Sequence, residues 1–67
     1  MKFKDVRIGG FFATEPGYYS TLYRKIPPIT DNFGFTFNAT YDVYVSESKP
    51  KIKRPVYINP EDEVYTM

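Results

Sequence analysis

The chain has 67 residues, 42% hydrophobic and 19% aromatic, with seven Tyr and six Phe, no Trp, Cys or His, and a formal net charge of +1. So short a chain buries only about 60% of its unfolded surface, which predicts one core and a single small β-barrel domain over residues 1–67. Disulfides, thiolate nucleophiles, imidazole bases and the common zinc sites are excluded, as is a global field for DNA or an anionic membrane; the expectation is no enzyme, and no catalytic, cofactor or metal residue.

In chain order, Phe3 and Val6 stand at helical i, i+3 spacing ahead of Gly9-Gly10. This predicts a short N-terminal helical turn and then a first strand over residues 10–14. Pro16-Gly17 suits the centre of a type II turn, and residues 18–26 read as a second strand that Pro27 and Pro28 stop. From Phe33 to Val45 every odd position is apolar: Phe33, Phe35, Phe37, Ala39, Tyr41, Val43 and Val45. Strict period two over this stretch predicts half-buried strand, with both leading phenylalanines in the core.

Thirteen extended residues would span roughly 43 Å, too long for this domain. Either a three-residue turn at residues 38–40 or one sharply coiled strand keeps the pattern on one face. Residues 46–55 read as a polar connection, 55–59 as a fourth strand, "NPED" as a turn with Pro60 in second place, and 63–67 as the last strand. The predicted class is therefore all-β, a small five-stranded antiparallel SH3-like or OB-like barrel.

Lys49, Lys51, Lys53 and Arg54 hold four of the nine positive charges, and Glu61, Asp62 and Glu63 form the opposing cluster. In an extended chain the three lysines project from one side, a comb that can track phosphates, guard a sheet edge or face the acidic cluster. The acidic run reads as solvated turn charge, since only weak binding of a hard cation suits it. Tyr19, Tyr23, Tyr44, Tyr57 and Tyr65 exceed what a small core holds, and exposed tyrosines are enriched at protein interfaces. The leading expectation is a non-enzymatic interaction module that binds a protein partner or a second copy through Lys49, Lys51, Lys53, Arg54, Tyr44 and Tyr57. No basic segment precedes an apolar run of signal-peptide length, and no run reaches about 18 apolar residues, so no leader, no membrane partner and a cytoplasmic setting are expected.

"NFGFTF", residues 32–37, resembles the aromatic strand motif of cold-shock domains and RNA-recognition motifs, whose rings stack on bases. Those families place Lys-Gly where this chain has Asp31-Asn32, so only Phe33 and Phe35 carry over, as stacking platforms. The resemblance implies an alternative, a single-stranded nucleic-acid-binding barrel that adds the basic segment. Phe3, Asp5, Val6, Gly9 and Phe12, with the closing "VYINPEDEVY", also resemble small uncharacterised bacterial and phage proteins. That likeness implies a small barrel and an accessory protein acting on a host protein, in the host cytoplasm if phage-encoded.

Overall fold

A computed structural model of the chain describes residues 1–17, 20–43 and 51–66. Its five antiparallel strands form one curled half-barrel sheet in the order β4-β3-β2-β1-β5. They are β1 (Phe11–Ala13), β2 (Tyr23–Thr30), β3 (Thr36–Val43), β4 (Ile52–Val56) and β5 (Tyr65–Thr66), and a 3-10 turn at Phe3–Asp5 precedes them. The all-β class, the five antiparallel strands and the N-terminal helical turn are as the sequence predicts.

Among the described residues, one face of the sheet is covered and the other is bare. The core is Phe3, Val6, Phe12, Ala39 and Val64, with Tyr23, Val56 and Ile58 packed against it. Phe12 has no exposed surface and meets the edge of Phe3 at 5.1 Å and the face of Tyr23 at 5.5 Å. Such pairs add about 0.5–1.5 kcal/mol beyond the area they bury. Tyr23 also leans on Tyr41 at 5.3 Å, so it belongs to the core and leaves the set of surface tyrosines. The Cα trace measures 37 × 36 × 16 Å, the shape of a sheet covered on one side only.

The cover is stitched from both ends of the chain. Phe3 and Lys4 donate their N–H groups to the carbonyls of Asp62 and Pro60, and Val64 donates to Met1. The "NPED" turn closes with Asp62 N–H on the Asn59 carbonyl, and the Asn59 side chain accepts from Glu61 N–H. Lys25 holds the 3-10 turn from beneath: its Nζ donates to the carbonyls of Phe3, Lys4 and Val6 and lies 4.7 Å from the Phe3 ring centre. Gly10 allows the tight return into β1, because a Cβ there would stand 2.9 Å from the Arg7 carbonyl oxygen.

Glu61 and Glu63 of the acidic cluster meet this N-terminal segment. Glu61 takes Lys2 at 2.7 Å and Lys4 at 3.2 Å, and Glu63 takes the N-terminal ammonium at 3.0 Å. The hydrogen bonds from Lys2 and Lys4 hold the Glu61 carboxyl below its ordinary range. A lowered pKa stabilises the fold above the unfolded value, and that contribution is lost as pH falls through the folded one. The thermal midpoint of Glu61→Gln should therefore lie below wild type at neutral pH and converge with it in acid. Because these charges are exposed, about 1 M salt should also close the gap.

Several expectations need correction. Residues 38–40 do not turn; β3 runs through them without interruption and pairs with β2 on one side and β4 on the other. The second strand does not stop at Pro27. It begins at Tyr23 and passes both prolines, with the register shifting between Lys25 and Ile29. Prolines lack the ladder donor, so three residues of β2 oppose Asn38 alone in a bulge. The fourth strand begins at Ile52, so Lys53 and Arg54 lie on a strand and not in a connection. It is an edge strand, and Pro55 and the cations give it the usual protection against edge pairing.

Candidate functional site

Beyond the bulge, β2 and β3 continue as a two-stranded arm that β1 and β4 do not reach: β1 pairs only with Tyr23 and Arg24 of β2, and β4 with residues 39–43 of β3. Along the arm, Ile29 stands opposite Phe37 and Thr30 opposite Thr36. The two threonine hydroxyls share a hydrogen bond at 3.0 Å. Strand alternation gives the arm a polar face bearing these threonines and an apolar face bearing Ile29, Phe37 and, toward the tip, Phe35.

The tip is a built turn. Asp31 N–H donates to the Phe35 carbonyl, and Gly34 N–H donates to the Asp31 carbonyl. The Asp31 side chain turns back on the loop, where Oδ1 accepts from Phe33 N–H at 2.9 Å and Phe35 N–H at 3.0 Å. Gly34 supplies the positive φ of +87° that closes the loop. Both rings on this turn face outward: Phe33 is 86% exposed and Phe35 65%. The expectation that both belong to the core is thus overturned. Period two identifies the side of a strand, but no described residue covers that side at this end of β3.

The basic segment lies elsewhere. Lys53 stands opposite Asp42, and Asp42 is six residues along β3 from Thr36, roughly 20 Å in extended chain. The aromatic pair and the cations therefore occupy opposite ends of one strand. Lys53 and Arg54, as neighbours on β4, project to opposite faces, with Arg54 opposite the core-side Tyr41. Lys51, Lys53, Arg54 and Tyr57 are all exposed, but they do not converge on one point. Lys49, Tyr44 and Tyr19 lie outside the described residues. No protein-family model, curated protein or solved structure matches this chain.

Sequence reasoning overlooked three residues here. Against the cold-shock pattern Asp31 reads only as an acid standing where a cation is expected, although Asp three residues before Gly is itself a signal for a side-chain-capped turn. Phe11 and Arg24 gave no local signal. They meet only through strand pairing, the guanidinium carbon lying 5.6 Å from the ring centre. Among the described residues no group of three acids forms a candidate metal site, and no helix is long and apolar enough to cross a membrane.

Proposed function

We propose that the chain is a non-enzymatic interaction module that engages a protein partner through the tip of the β2–β3 arm. The observation that carries this reading is the exposure of Phe33 and Phe35 on a turn already held by Asp31. A turn whose backbone is held before binding adds little loop-ordering cost to association, and aromatic side chains are enriched at interfaces. The chemistry of the arm indicates the kind of partner. Residues 26–37 carry one charge, Asp31, and no cation. A phosphate backbone would find no counter-charge there, whereas an uncharged apolar cleft on a protein would match Phe33, Phe35 and Ile29 together. The return of β5 beside β1 supports an SH3-like barrel within the same proposal, and the opening Phe3, Asp5, Val6, Gly9 and Phe12 pattern supports a phage or bacterial accessory role.

The test is site-directed crosslinking with the full chain in cells, using a benzophenone side chain in place of Phe33 and, as control, in place of Thr66. The expected result is one discrete adduct from the arm and none from the control, with the adduct mass separating a second copy from a different protein. Adding Asp31→Ala removes two hydrogen bonds that hold the turn and should reduce the adduct about three- to tenfold. Equal labelling at both positions, or an arm adduct indifferent to Phe35→Ser, would remove the arm as the contact.

A further inference from the structure

The bare face of the sheet gathers a different chemistry from the arm. Strand pairing lays Phe11, Arg24 and Thr40 side by side, and Asp42 opposite Lys53 falls on the same face, two positions along β3 from Thr40. Together with Leu22 and Lys51, these residues line an open groove of about 430 Å³. A second depression of about 350 Å³ shares Arg24, Thr40 and Lys53 with it, so the groove continues across the sheet toward Gly9 and Pro27. Among the described residues that line it, the cations Arg24, Lys51 and Lys53 outnumber the one acid, Asp42, in a chain whose total charge is only +1. Among the described residues no carboxylate lies within ion-pair distance of Arg24 or Lys53; the ion pairs there are those of Glu61 and Glu63 with the N-terminal segment.

We infer that this groove binds single-stranded nucleic acid, independently of the arm. Charge complementarity calls for a polyanion. Lys51 directly precedes β4 and Lys53 lies on it, and both line the groove. Phe11 is half exposed in the groove wall with Arg24 against it. That pair offers a base a surface on which to stack, something an acidic peptide has no use for. A duplex keeps its bases stacked on one another and could not use the ring.

The experiment is fluorescence anisotropy with the full chain and labelled oligo(dT) and oligo(rU), each about 12 nucleotides long. The expected dissociation constant is below about 10 μM at about 50 mM salt. With three cations in contact, affinity should fall about 20-fold by about 200 mM, and Lys51→Ala with Lys53→Ala should reduce that fall to about threefold. Phe11→Ala should weaken binding about tenfold or more, while Lys53→Arg should retain it and Phe33→Ser should leave it unchanged. Far-ultraviolet circular dichroism of each variant separates lost binding from lost folding. Absence of binding at low salt, or affinity indifferent to Lys53→Glu in a folded variant, overturns the inference. So does displacement of the oligonucleotide by polyglutamate at equal charge concentration, which would identify an acidic protein segment as the occupant.

Discussion

Replacing Phe12 by Ala should cost about 3–5 kcal/mol, while the same replacement at Phe33 should cost less than about 0.5 kcal/mol. The chemical change is identical and only the surroundings differ. Phe12 has no exposed surface and sits between Phe3 and Tyr23, at the one place where the 3-10 turn, β1 and β2 meet. Its removal leaves a cavity that three elements would have to move to fill. Phe33 is 86% exposed, and its ring lies in water in both folded and unfolded chains. A domain of this length has a total stability on the order of 3–10 kcal/mol, so Phe12→Ala should lower the thermal midpoint by about 15–30 °C or abolish the cooperative transition. Thermal denaturation followed by circular dichroism, run on both variants, checks the pair. Similar midpoints for the two would mean that Phe12 is not the centre of the core.

The second large effect belongs to a polar residue. Asn38 is only 6% exposed, and its amide donates to the Ile58 carbonyl and accepts from Ile58 N–H, each at 2.8 Å. It lies where the β3–β4 ladder ends at Ala39 and Val56, and its side chain extends that ladder as a strand backbone would. Asn38→Ala leaves both groups of Ile58 without a partner in a half-buried site and should cost about 2–4 kcal/mol. Asn38→Asp keeps the acceptor but sets a carboxylate oxygen against the Ile58 carbonyl, so at neutral pH it should be no better. Urea midpoints give the loss, and hydrogen exchange at the Ile58 amide should accelerate in both variants if the ladder depends on this side chain.

Asn38 also shows where a sequence can be read and where it cannot. In the pattern from Phe33 to Val45 it is simply one of the even, polar positions expected to face water. Its burial depends on Ile58, twenty residues away, which no local periodicity encodes. Features whose cause is local were legible: the 3-10 turn from the spacing of Phe3 and Val6, the first strand, expected over residues 10–14 and found at Phe11–Ala13, and the Pro60 turn. The start of β4 was hidden because Lys53 and Arg54 look like connection residues, yet on an edge strand they cost the ladder nothing. Pro27 and Pro28 read as a stop signal for the same kind of reason, since a proline is compatible with a strand wherever no neighbour needs its donor. At the candidate site the rings themselves were visible. Their exposure was not, because it depends on how far β1 and β4 extend.

The stitching of the two chain ends has a consequence for the order in which the molecule takes shape. Met1 and Glu63, joined in the fold, lie 62 positions apart in the chain, and the core needs Phe3 and Val64 together. Closing so long a loop costs entropy before any contact rewards it, so the body of the sheet is expected to assemble late and slowly. During synthesis it cannot assemble until Val64 has been made. The β2–β3 hairpin has no such wait, since its turn is held by Asp31 within five residues. Hairpins of this kind form in microseconds, although alone they are marginally stable in water. The segment proposed to meet a partner is thus the earliest to reach its final shape, and it does so before the body that will carry it exists.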